Sequence, residues 1–180
     1  MILDKAKSDF LIILVGKLLQ VILMIVAIRV STALLEPKEM GNIYIFTTIY
    51  TFFVLLLISP FGQYINRHTH QWHEQKSLLD NLGLYSLYLI IISIFSVIVG
   101  FLLYSFGVSQ EIELEYFLSL LFLFILFMTL NQTILPLLNM LHYRFSFTIL
   151  TVLTAFGIIF FGYLFVNFFG NNAENWLLGM

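Results

Sequence analysis

The sequence predicts an all-α membrane protein, a polytopic bundle of about five transmembrane helices, and three observations carry that expectation. First, 61% of the 180 residues are hydrophobic and only 10% are charged, whereas soluble domains carry about 25% charged residues; mean hydropathy is +0.99. Second, the apolar residues gather in five long runs separated by short polar connectors. Third, small residues recur inside the runs at helical spacing, the pattern by which membrane helices approach one another closely. The five spans fall at about 10–35, 43–65, 82–106, 116–140 and 145–169, and together form a single transmembrane domain over 1–180.

The first run sets the terms for the others. As a helix it measures roughly 39 Å, enough to cross a hydrocarbon core of about 30 Å with some tilt. Lys5 and Lys7 before it give a superficial likeness to a signal peptide. The apolar stretch, however, exceeds the usual length of about 7–15 residues and lacks a small-x-small cleavage site, so an uncleaved helix is expected. Lys17 and Arg29 lie within the span, and a charge near the bilayer centre costs on the order of 3 kcal/mol or more. Two readings are open: each cation snorkels to its nearer interface, or at least one faces a watery cavity and meets an anion. Lys17, Gln20, Met24, Ala27 and Ser31 follow 3-4-3-4 spacing and so share one face, with Arg29 about a third of a turn away.

Pro37 stops the first helix, and Gly41 permits a turn. In the second run Pro60 removes a backbone donor, which predicts a kink, and Ser59, Gln63 and Asn66 align beyond it. The stretch 67–80 is read as a polar loop at the headgroup interface, anchored by Trp72. The third run sets Gly83, Ser86, Ser93 and Gly100 on one stripe, and an acidic connector with Glu111, Glu113 and Glu115 follows. The fourth run places Thr129, Gln132, Pro136 and Asn139 on one face. After a short basic turn (His142-Tyr-Arg144), the fifth sets Thr151, Ala155, Ile158 and Gly162 on another. The tail after 170 resembles an interfacial lead into a further helix.

Five spans put the N-terminus, 67–80 and the 142–144 turn on one side. That side holds Lys5, Lys7, Arg67, Lys76 and Arg144, against Lys38 alone on the other. The positive-inside bias makes the first side cytoplasmic, leaving the C-terminus outside. A net charge of −2 gives no basis for nucleic-acid binding, and with no cysteine, thiolate chemistry and disulfides are excluded. His68, His70, His73 and Glu74 are spaced unlike the i,i+4 histidines of helical zinc sites, so no metal or other cofactor is expected. The sequence shows no P-loop and no G-x-S-x-G, and no catalytic residue is assigned.

The polar residues within or at the ends of the spans are the candidate substrate-cavity set: Lys17, Gln20, Arg29, Gln63, Asn66, Arg67, Asn131, Gln132 and Asn139. Amides hydrogen-bond sugars and cations hold phosphates, so the set fits a large, hydroxyl-rich anion. Interhelical hydrogen bonding, at about 0.6 kcal/mol per pair, is the competing account of any single amide.

Three segments carry a family resemblance. Arg29-x5-Leu35-Glu-Pro37-Lys-Glu39-Met-Gly41-Asn-Ile-Tyr44 resembles the junction of the first two helices in Wzx-type polysaccharide flippases, of the multidrug/oligosaccharidyl-lipid/polysaccharide (MOP) exporter superfamily. Pro60-x-Gly62-Gln-Tyr-Ile-Asn66-Arg67-x-x-His70-x-Trp72 is similar to the end of their second helix, and Leu138-Asn139-x-x-His142-Tyr-Arg144 to their fourth-to-fifth turn. The resemblance implies flipping of a polyprenyl-diphosphate-linked oligosaccharide across the bacterial plasma membrane in polysaccharide or O-antigen synthesis. It also implies alternating access around a cationic cavity, with Lys17 and Arg29 as cavity cations and Asn66 with Arg67 at the cytoplasmic mouth. Family members have two lobes of about six helices each, so five spans cover most of one lobe. The chain is then either a truncated product or fragment, or it assembles with a separate second lobe or other envelope-polysaccharide assembly proteins as partner. The alternatives are a drug exporter of the same superfamily, which would favour a membrane-buried carboxylate absent here, a membrane enzyme of envelope synthesis, or a scaffold subunit.

Overall fold

The computed structural model describes residues 2–108 and 111–180, with residues 2–9 described through their backbone alone. The side chains of Lys5 and Lys7, and residues 109–110 of the acidic connector, lie outside the described residues. Among those described there is no strand. The chain runs as α1 (Ile2–Leu34), α2 (Pro37–Phe53), a π-helical turn (Val54–Ile58), α3 (Ser59–Glu74), α4 (Leu78–Ser105), α5 (Leu114–Leu123), a second π-helical turn (Phe124–Met128), α6 (Thr129–Met140), α7 (Arg144–Phe169) and α8 (Ala173–Gly179). Five continuous helical stretches are long and apolar enough to cross a membrane: Phe10–Leu34, Pro37–Glu74, Leu78–Ser105, Leu114–Met140 and Arg144–Phe169. The chain divides into two compact units, one of Met1–Met40 with Leu138–Met180 and one of Gly41–Leu137.

Each departure from the expected elements has a local cause. Gly41 makes no turn, because Pro37 opens α2 and its fixed φ suits the first helical position. The stretch 67–74 is helix rather than loop. There Ile65 and Thr69 are buried, and Tyr64, His68 and Trp72 stack at i,i+4, with centroids 4.2 Å and 5.6 Å apart. At Pro60 the irregularity is a π-helical turn, with the Ser59 N–H reaching back to the Val54 carbonyl. Pro60 offers no N–H to the carbonyls before it. The nearby Leu57 O accepts a further hydrogen bond from the Tyr88 hydroxyl of α4 at 2.7 Å.

Three helix ends close in the same way. After α3 the Ser77 N–H reaches Trp72 O and the Lys76 N–H reaches His73 O; after α4, Val108 reaches Leu103 O and Gly107 reaches Tyr104 O; after α6, Tyr143 reaches Leu138 O and His142 reaches Asn139 O. These paired bonds are Schellman caps, which need a left-handed residue after the helix. Gly107 supplies it freely at φ +94°, but Lys76 (φ +57°) and His142 (φ +65°) adopt it despite their Cβ atoms.

In the Gly41–Leu137 unit, Phe46, Phe53, Phe117, Leu121 and Ile125 are fully buried. Phe46 meets Phe124 edge-on at 5.1 Å, and Phe53 meets Phe95 at 6.2 Å, geometries aromatic pairs favour. The stripe of α4 that packs is Tyr85, Leu89, Ile92, Ser93, Ser96 and Gly100, about half of the one expected from small residues. Gly83 is exposed, with nothing near it. At Gly100 an added Cβ would come within 2.8 Å of a Leu121 methyl, so here the glycine does set the distance to α5.

In the other unit α1 lies against α7. Gly16 and Ser31 are buried, Gln20 and Ala27 half-buried, and a side chain at Gly16 would overlap the Thr148 methyl. On α7 the expected small stripe is buried at Thr151, Ala155 and Gly162. In the tail Gly170, at φ +117°, turns the chain back, and α8 packs on α7. Trp176 covers Gly162, where an added Cβ would stand 3.1 Å from the indole, and a side chain at Gly179 would overlap the Gly162 backbone. Glu39 holds the start of α8, its Oε2 accepting the Ala173 N–H at 2.7 Å.

Two predictions follow from these contacts. His142→Gly should stabilise the chain by about 1 kcal/mol through relief of the left-handed strain, read as a raised melting temperature in detergent micelles. Gly179→Leu should cost about 1–3 kcal/mol by overpacking and detach α8. In a Trp72→Phe background this is read as a shift and increased quenching of Trp176 fluorescence.

Candidate functional site

The nine polar residues singled out in the sequence divide between the two units. Lys17, Gln20, Arg29 and Asn139 belong to the first, and Gln63, Asn66, Arg67, Asn131 and Gln132 to the second.

Lys17 has the most defined setting. It stands about 10 Å inside the span that begins at Phe10, and its Nζ donates to Gln20 Oε1 at 2.9 Å. Gln20 is three residues further into the bilayer, so the lysine is drawn toward the membrane centre, opposite to a snorkelling pose. The ammonium also lies 5.5 Å from the centre of the Phe147 ring on α7, a favourable cation–π distance. Neither partner carries a charge, and among the described residues no carboxylate pairs with Lys17. The positive charge is therefore oriented but not neutralised, a setting that attracts an anion. On the stripe expected to include Lys17, Gln20, Ala27 and Ser31 turn inward, while Lys17 and Met24 are exposed. Arg29 is exposed on α1, and Asn139 is half-buried at the end of α6.

In the second unit Gln63 and Arg67 are exposed on α3. Asn66 between them is half-buried, with its carbonyl oxygen enclosed and unpartnered among the described residues. On α6 the buried face is Thr129, Thr133 and Leu137. Gln132, expected to share a face with Thr129, is exposed, and Asn131 is half-buried. The histidines of α3 do not form a metal cluster: among the described residues no three His, Cys, Asp or Glu side chains come together. His68 instead spends one ring nitrogen on the Tyr64 carbonyl, 2.8 Å away.

The residues missed in the sequence are hydroxyls. Tyr85 is buried on α4 and shares a 2.9 Å hydrogen bond with Thr133 of α6. Tyr50 is buried on α2, its ring edge-on to Phe124 at 5.6 Å. The signal was present in the tyrosines that fall inside apolar runs rather than at their ends, and in the i,i+4 pair Thr129 and Thr133. Their moderate polarity lets such residues pass as ordinary span positions.

Gln20→Leu should remove the group that draws Lys17 inward. The lysine then swings toward the N-terminal interface, and its reaction with a water-soluble amine reagent in proteoliposomes should rise several-fold; an unchanged rate would show that Gln20 does not position it.

Comparison with known proteins adds no relative: no protein-family model, curated protein or solved structure matches this chain.

Proposed function

We propose that the chain is the N-terminal portion of a Wzx-type flippase. It would translocate a polyprenyl-diphosphate-linked oligosaccharide from the cytoplasmic to the outer leaflet of a bacterial plasma membrane. The observation that carries this reading is Lys17, a cation inside a span, held inward by Gln20 and Phe147 with no carboxylate partner among the described residues. A diphosphate is the anion such a site suits, because an ammonium forms charge-assisted bonds to phosphate oxygens. Arg29, exposed on the same helix, supplies a second cation suited to phosphate. No covalent chemistry is involved, and no cofactor enters the reading.

The three motifs resembling the flippases support the same assignment, as does the cation bias between connectors. That bias orients the N-terminus and the end of α3 toward the cytoplasm. A second lobe is the partner in this reading, since alternating access moves one repeat against another.

The test is complementation of a flippase-deficient strain with the chain, alone and with a second lobe co-expressed. Surface polysaccharide is expected only from the pair. Lys17→Ala should lower it about tenfold at equal membrane abundance, corresponding to about 1.4 kcal/mol of lost phosphate binding, while Lys17→Arg keeps most of it. Full activity after Lys17→Ala and Arg29→Ala together would overturn the reading.

A further inference from the structure

The two flanks of the contact between α1 and α7 differ in chemistry. The helices touch where Gly16 meets Thr148, closely enough that a side chain at Gly16 would overlap the Thr148 methyl. With 3.6 residues to a turn, the positions just before and just after such a point fall on opposite flanks. Lys17 and Phe147 go to one, with the ammonium over the ring. Val15 and Ile149 go to the other, and there the helices leave a groove of about 330 Å³.

This groove presents carbon. Leu11, Val15 and Leu19 form one wall, Phe145 and Ile149 the other. At the floor the Thr148 hydroxyl oxygen is enclosed. Leu11 is 56% exposed and Phe145 65%, so no described residue covers the groove. From Leu11 to Leu19 it runs roughly 12 Å along α1, close to the depth of one leaflet, half of a hydrocarbon core of about 30 Å. At its mouth Arg144 opens α7, beside Phe145 and one turn before Thr148. A guanidinium meets phosphate oxygens through two parallel N–H bonds, and a basic residue at the membrane surface favours anionic lipid.

We propose that the groove binds one anionic phospholipid from the leaflet at the Phe10 end of α1, with an acyl chain between Val15 and Ile149 and the phosphate at Arg144. The depth fits a chain confined to that leaflet, and the single cation at the mouth complements a single negative headgroup. The lipid is distinct from the anion suited to Lys17. A chain hanging from an anion there would have to cross the closed Gly16–Thr148 contact to reach the groove.

Native mass spectrometry of the full chain released from nanodiscs tests the assignment, with phosphatidylglycerol and phosphatidylcholine of matched acyl chains in equal amounts. One phosphatidylglycerol should be retained per chain, in about fivefold preference to phosphatidylcholine. Arg144→Gln should bring the two lipids to parity. Val15→Trp, which fills the groove, should lower retention of both several-fold. Val21→Trp, exposed on the same helix outside the groove, should leave it unchanged. Equal retention of the two lipids by the unaltered chain would overturn the proposal, and that comparison needs no variant. Retention that is as strong in Val15→Trp as in Val21→Trp protein would place the lipid elsewhere and equally overturn it. So would a polyprenyl phosphate that displaces phosphatidylglycerol from the unaltered chain, since the groove would then belong to the isoprenoid.

Discussion

The demand that every backbone N–H and C=O find a partner without help from water governs this structure more than any side-chain contact. In hydrocarbon an unmet backbone group costs several kcal/mol, which leaves helices as the only open-chain solution. The consequences appear wherever the helical ladder is interrupted. Beside Pro60 the chain widens into a π turn and Tyr88 brings a hydroxyl to the Leu57 carbonyl. At the ends of α3, α4 and α6 the last carbonyls are met by Schellman pairs, even though two of these hold Lys76 and His142 in a left-handed conformation. Along the spans, Thr47, Thr51, Ser93, Thr133 and Thr151 return their hydroxyls to carbonyls one turn back, so these hydroxyls are met within their own helices.

The same demand explains why the fold class was legible and the details were not. Long apolar runs with few charges have one viable structure in a bilayer, so an all-α polytopic bundle could be read directly. The small stripe on α7 was also legible, because Thr151, Ala155 and Gly162 admit a neighbouring helix at any register. Which half of the α4 stripe packs was hidden, since that depends on the bulky residues of α5 that meet Gly100. The extension of α3 to Glu74 was hidden for a similar reason. Polarity marked 67–74 as a connector, but the i,i+4 stacking of Tyr64, His68 and Trp72 accompanies a continuous helix there.

Charge was easier to locate than to interpret. The sequence placed Lys17 within a span, and two opposite poses were consistent with it. Only the bond to Gln20 and the contact with Phe147 distinguish them, and Phe147 lies 130 positions away along the chain. Neutral hydroxyls were less visible still. Tyr85 and Thr133 meet across two helices, and periodicity within one run does not report on the other.

The bond from Glu39 to the amide of Ala173 links positions 134 apart, and it has a bearing on biosynthesis. A nascent chain emerges from its N-terminus, so α1 enters the bilayer long before α7 and α8 exist to cover it. Every residue of the Gly41–Leu137 unit is made in the interval. The helix that carries Lys17 is thus made before α7, and it waits for that neighbour until the whole Gly41–Leu137 unit has been synthesised. During that wait its ammonium has lipid headgroups and the insertion machinery for company, rather than the ring of Phe147.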